Sequence, residues 1–158
     1  MTATNTQNTT TYILDVPATP WADCTEAITA IQLGSEALCP QSLGDLSRTR
    51  NITEYSCISS NDSVKASGKM SYGDFNIELL FDADDAAGQK ELFDAIEENT
   101  PIILALEASD MASGGTSGTI IWTEAIVSGD TIAFPVDGKL GYNVTISPYG
   151  GYSRCAKT

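Results

Sequence analysis

Between residues 72 and 81 apolar and polar side chains alternate. Phe75, Ile77, Leu79 and Phe81 share one side of an extended chain, and Asp74, Asn76 and Glu78 share the other. Period two with one wet face marks a half-buried strand. The pattern recurs over 139–147, where Leu140, Tyr142, Val144 and Ile146 oppose Gly141, Asn143, Thr145 and Ser147. Residues 118–129 read as a third strand, with Ile120, Trp122 and Ile126 facing one way and Ile121, Ala125 and Val127 the other; its tip at Ser128-Gly129-Asp130 is expected to be a tight turn. Ile102-Ile103-Leu104-Ala105-Leu106 is uniformly apolar, the pattern of a short central strand covered on both faces.

One segment has helical spacing. Residues 83–98 place Leu92, Phe93 and Ile96 on a stripe, Asp82 stands where an N-cap is wanted, and Asn99-Thr100-Pro101 stops the run. Asp94, Glu97 and Glu98 sit at the end where the helix dipole disfavours negative charge, so water or a neighbour's cations must offset them. Residues 1–20 read as a polar arm with one docking point at Tyr12-Ile13-Leu14. Over 25–33, Ala27, Ile28, Ile31 and Leu33 suggest a strand, with a helix as the alternative. Residues 43–71 are largely polar, include Ser59-Ser60-Asn61-Asp62-Ser63, and read as a long connection of the kind that is functional or disordered. Ser113-Gly114-Gly115-Thr116 and Asp137-Gly138 mark turns, and 148–158 forms a tail. The sum is one domain over 1–158, mainly β (α+β): an antiparallel β-sandwich or barrel with one flanking helix.

Composition narrows the function. The 158 residues, 42% apolar and 18% charged, are enough for a folded domain with a real core. There is no histidine, which removes a Ser-His-Asp triad, an imidazole base and any His-containing zinc site. The formal charge of −13 opposes binding to nucleic-acid phosphates and anionic membranes, both of which are held through clustered Lys and Arg. The first eight residues lack the features of a secretory leader, and no apolar run is long enough to cross a bilayer as a helix; the expectation is a chain kept in the cytosol, with no membrane partner. Cys24, Cys39, Cys57 and Cys155 form no C-x-x-C pair and read as free, buried thiols, with a Cys24–Cys39 bridge as the alternative. Sequons at Asn8, Asn51, Asn61 and Asn143 read as chance in so Thr- and Ser-rich a chain.

No motif carries chemistry. A calcium loop starting at Asp82 would need Gly at 87 and Glu at 93, where the chain has Ala87 and Phe93. The glycine-rich 114–118 lacks the lysine of a phosphate-binding loop. Carboxylate pairs such as Glu78 and Glu124 are too common in this sequence to single out a glycosidase. The expectation is a non-enzyme with no cofactor and no metal.

The run Ser67-Gly68-Lys69-Met70-Ser71-Tyr72-Gly73-Asp74-Phe75-Asn76-Ile77-Glu78-Leu79-Leu80-Phe81-Asp82, followed by Gly88-Gln89-Lys90-Glu91-Leu92-Phe93, resembles the major tail tube proteins of lambda-like long-tailed bacteriophages. The later strands near 102–107, 119–127 and 138–147 share the same layout. The resemblance implies a subunit forming hexameric rings, stacked into a hollow tube whose wall is a continuous β-barrel, assembled in the host cytoplasm and carried in the virion tail. It implies tape-measure, tail-tip and tail-terminator proteins as partners, with DNA passing through unbound. On this reading Asp74, Asn76, Glu78, Asn143 and Thr145 face the lumen. Ser59, Ser60, Asn61, Asp62, Ser63 and Lys65 belong to a loop stacking on the next ring, and residues 11–16 and 148–157 order only on assembly. Competing readings are a tube subunit of a contractile, gene-transfer or bacteriocin-like particle, and a secreted sugar-binding β-sandwich using Trp21, Trp122 and the tyrosines.

Overall fold

The computed structural model describes residues 9–37, 40–56, 58–59, 61–85, 87–135 and 138–158. Among these residues ten strands and two helices occur in the order β1 (Thr10–Asp15), α1 (Cys24–Gln32), β2 (Ser35–Glu36), β3 (Pro40–Leu43), β4 (Arg48–Ser56), β5 (Ser63–Tyr72), β6 (Phe75–Leu80), α2 (Gly88–Glu98), β7 (Pro101–Glu107), β8 (Ile120–Ala133), β9 (Gly141–Pro148) and β10 (Ser153–Cys155). Eight strands form one antiparallel sheet in the order β2-β1-β7-β8-β9-β6-β3, with β10 added on β8; β4 and β5 pair only with each other.

The sheet curls around its main core. Ile13 of β1 and Phe75, Ile77 and Leu79 of β6 lie far apart in strand order, yet they share one buried cluster with Leu104, Val127, Tyr142, Val144 and Ile146. Leu92 and Ala95 of α2 complete it. Gly88 lets the start of α2 lie against β2, because a Cβ there would overlap Glu36 O and Ala37. A second core forms on the other side of β7, where Ile28 and Ile31 of α1 meet Ala105, Ile120 and Cys155. Strand β7 is thus buried on both faces, as its uniform aliphatic sequence predicts.

Several expectations are corrected. Residues 25–33 are helical: Ala27, Ile28 and Ile31 face inward at helical spacing, Asp23 caps Glu26 N at 2.9 Å, and Leu33, 84% exposed, belongs to the C-cap and to no buried stripe. Among the described residues there are therefore two flanking helices. The other helix starts at Gly88, not at residue 83, and its start is satisfied by Asp85, not Asp82. The Asp85 carboxylate accepts from Ala87 N, Gly88 N and Gln89 N at 3.0–3.1 Å. Asn99, at φ 53°, ends the helix in the left-handed conformation. The expected turn at 128–130 is a bulge: the register shifts between Val127 and Gly129, and β8 continues to Ala133. The Gly114 turn stands, with φ 78° and Gly115 N bonded to Ala112 O. At the expected 137–138 turn, Asp137 lies outside the described residues.

Among the described residues, segments near both ends pair within the sheet. Strand β1 pairs over six residues with β7 and buries Thr11 and Ile13. Strand β10 lies on β8, and Thr158 exchanges backbone bonds with Thr116 and Ser117. Cys24 is disulfide-bonded to Cys155, 131 residues away, which replaces both the free-thiol reading of these two cysteines and the Cys24–Cys39 alternative. Cys39 and Cys57 lie outside the described residues.

If β1 is part of the folded subunit, Ile13→Ala lowers the unfolding free energy of the unassembled protein by about 2–5 kcal/mol in denaturant titration. An arm that ordered only on assembly would leave that value unchanged.

Candidate functional site: a polar sheet face and a projecting hairpin

The alternation of β6 and β9 sends one set of side chains to the core and the other to the outer face of the sheet. All five lumen candidates lie on that outer face. Glu78 pairs with Asn143, and Asn76 with Thr145, whose Oγ1 donates to Asn76 Oδ1 at 2.9 Å. Asp74 accepts from Ser147 Oγ at 2.7 Å, and that oxygen lies 3.0 Å from Ser128 Oγ on β8. The face extends in rows across four strands: Ser42 of β3 opposes Glu78, Glu78 opposes Asn143, and Asn143 opposes Thr131 of β8. The result is a surface of hydroxyls, amides and carboxylates, several of which bond one another. It offers hydrogen bonds and negative charge.

Behind this face, Tyr142 Oη donates to Asp130 Oδ2 at 3.0 Å, and burial with that bond pushes its phenol well above the usual tyrosine range. Across the sheet, Tyr12 donates to Glu107 Oε2 at 3.2 Å; burial, then the Glu107 charge, pushes it up to about 12.

The segment 47–71, expected as a loop, is mostly the hairpin β4–β5. Every residue of β4 is exposed, and in β5 only Met70 and Tyr72 are partly covered. Its pairing runs from Arg48 opposite Tyr72 to Ser56 opposite Ser63, with a bulge after Arg50. Of the stacking-loop candidates, Ser59, Asn61 and Asp62 lie between the strands, while Ser63 and Lys65 belong to β5; Ser60 lies outside the described residues. Tyr55 and Val64 face each other across the ladder, 58% and 60% exposed, and Ile52 and Ile58 are exposed as well.

Charge is partitioned between hairpin and body. Arg48, Arg50, Lys65 and Lys69 are half of the chain's eight cations; against Glu54 and Asp62 they give residues 48–72 a charge of +2, leaving −15 for the rest. Among the described residues the ion pair is Lys90 with Asp94 in α2, while Lys65 stands opposite Glu54 in the ladder and Lys69 is exposed. This segregation was readable as a basic segment in an acidic chain, a signal that net charge alone conceals.

Several aromatics of the sugar-binding reading are engaged within the subunit, while Tyr149 is exposed. Trp21 and Trp122 pack edge-on at 5.7 Å beside α1, Tyr142 is buried, and Tyr152 lies against the hairpin root. Where the curled sheet stays open, a groove of about 910 Å³ lies between the edge strand β3 and the start of β1, bordered by Leu43, Leu106 and Ile121. Among the described residues no group of histidine, cysteine or carboxylate side chains is arranged to hold a metal.

No protein-family model and no curated sequence matches the chain. Solved structures do. A chain of the anti-feeding prophage (AFP) baseplate, in a six-fold symmetrised structure, superposes with TM-score 0.69 at 11% identity, over 99% of this chain and 97% of that one. The SPP1 tail tube protein gives 0.65 at 14% identity, over 96% and 78%. A chain from the tail of an empty gene transfer agent particle, refined helically with C6 symmetry, gives 0.61 at 11% identity, over 92% and 95%. These likenesses establish a shared fold across almost the whole chain.

The raised tyrosine fixes a pH response. A phenol whose folded value exceeds its unfolded value near 10 keeps its full stabilising effect below pH 10 and loses it as the pH climbs toward 12. The unfolding midpoint of the native chain is expected to fall more steeply between pH 10 and 12 than that of Tyr12→Phe, and parallel slopes would show that Tyr12 does not contribute.

Proposed function

We propose that the chain is a structural, non-enzymatic subunit of a phage-type tail tube: six copies close into a ring, and rings stack into a hollow conduit. The observation that carries the reading is the β4–β5 hairpin, a cationic, partly apolar two-stranded ladder held clear of an anionic body. An isolated hairpin is marginal in water, and exposed ladder edges invite pairing with another chain. Its excess of cations and the −15 of the remaining chain make a second copy its electrostatic complement. The shared fold with subunits of six-fold tails and baseplates supports the same assembly.

In such a ring the face carrying Asp74, Asn76, Glu78, Asn143 and Thr145 lines the channel. Negative charge there repels phosphate, and the side chains bond one another, so DNA passes without being gripped. The hairpin, with Ser59, Asn61 and Asp62 between its strands and Ser63 and Lys65 in β5, reaches the adjacent ring. The place of action is the particle's tail, assembled in the host cytoplasm, with tape-measure, tail-tip and tail-terminator proteins at the tube's axis and ends. Within this reading a lambda-like siphophage tail is favoured, and contractile, gene-transfer and bacteriocin-like particles share the same subunit architecture.

Two double variants separate the two surfaces. Lys65→Glu with Lys69→Glu is expected to leave the unfolding curve unchanged and to raise the concentration needed for assembly about ten-fold or more, with wild-type assembly itself weakened by salt. Asp74→Lys with Glu78→Lys is expected to assemble normally and to retain DNA in the tube. Unimpaired assembly of the first variant, or failed assembly of the second with its fold intact, would refute the respective assignment.

A further inference from the structure

The hairpin meets the rest of the subunit at its root, through one side chain of the C-terminal segment. Tyr152 Oη donates to Ser47 O at 2.7 Å, its ring lies 5.4 Å from that of Tyr72, and the Arg48 guanidinium carbon stands 5.9 Å from its centroid. Arg48 and Tyr72 are the first cross-strand pair of the hairpin, so this single ring touches both strands at their base. The remaining bonds at the root are the chain's own: Gly44 N to Asn76 O at 2.7 Å and Gly73 N to Ser47 O at 2.9 Å.

Tyr152 is held in turn by its attachment to strand β10. That strand begins at the next residue and is only three residues long, pairing with Ile120, Ile121 and Trp122. So short a strand holds its place weakly by itself, and Cys155 at its end is bonded to Cys24 on the first turn of α1. Cys155 is buried, whereas Cys24 is exposed, which leaves the Cys24 end of the bond open to exchange.

We propose that Cys24 and Cys155 form a redox site whose oxidised state fixes the direction of the hairpin through Tyr152. As a dithiol, the pair leaves β10 held by its short ladder and by the bonds of Thr158. The root of the hairpin then pivots at Gly44 and Gly73. Oxidation joins the two sulfurs and passes two electrons and two protons to dioxygen, which becomes hydrogen peroxide. In reverse, a dithiol such as dithiothreitol attacks the Cys24 sulfur, Cys155 leaves as the thiol, and the reagent closes to its own cyclic disulfide. A reducing cytosol favours the dithiol and an oxidising exterior the disulfide. The consequence for a tube, pliant arms while rings join and rigid ones after release, rests on the proposed tube function; the coupling of sulfur to hairpin does not.

Hydrogen exchange on the unassembled chain tests that coupling without reference to tubes. Dithiothreitol is expected to speed exchange of the root amides, Thr49 and Gly73 among them, at least ten-fold, while β6 and β9 stay protected. Cys24→Ser is expected to behave as the reduced protein without reductant. Tyr152→Ala, with the disulfide intact, is expected to show the same fast root and no further response to dithiothreitol. An unchanged root on reduction would overturn the proposal. So would loss of protection throughout β6 and β9, which would make the bond a general staple, and so would a Tyr152→Ala chain whose hairpin still responds to redox state.

Discussion

The pairing of β8 is the constraint on which the rest depends. Its first half, Ile120 to Ile126, bonds to β7, with β10 along its other edge, and its second half, to Ala133, bonds to β9. Between them the register shifts near Ser128, and a bulge bends a strand and increases its twist. That bend lets strands at opposite ends of the sheet face one core. It also turns the polar sides of β9 and β6 outward as a continuous surface, and it leaves β10 beside the base of the hairpin.

How much of this the sequence disclosed depends on burial. Strands β6, β7 and β9 were legible because burial imposes a pattern: period two where one face is wet, continuous apolarity where both are covered. The hairpin was illegible because no face of it is buried within the subunit, so no hydrophobic alternation was imposed on β4 and β5. Helix α1 was blurred by Leu33, which extends the apparent apolar run past the helix end. Ser128-Gly129 carries turn chemistry but serves as a bulge, a distinction made by the partner strand and not by local sequence. The bond between Cys24 and Cys155 joins residues 131 apart with no spacing signal.

The outer-face residues share one side because register in a half-buried strand is set by its core-facing half: once Phe75, Ile77 and Leu79 point inward, Asp74, Asn76 and Glu78 point out. Three of the hairpin candidates mark the turn between its strands, but the segment's charge, the stronger signal, needed a count by region. In the proposed tube, the half of the cations that this −13 chain concentrates in one ladder would meet the anionic body of a second copy. Opposite charge on one molecule drives head-to-tail contacts, which propagate into rings or filaments.

The most direct test of that account is electron microscopy of the purified chain, concentrated at low salt. The account predicts hollow rings with six-fold symmetry, stacked into tubes, with the β4–β5 hairpin lying against a neighbouring copy. A chain that stays monomeric at every concentration and ionic strength, with its hairpin free in solution, would contradict it.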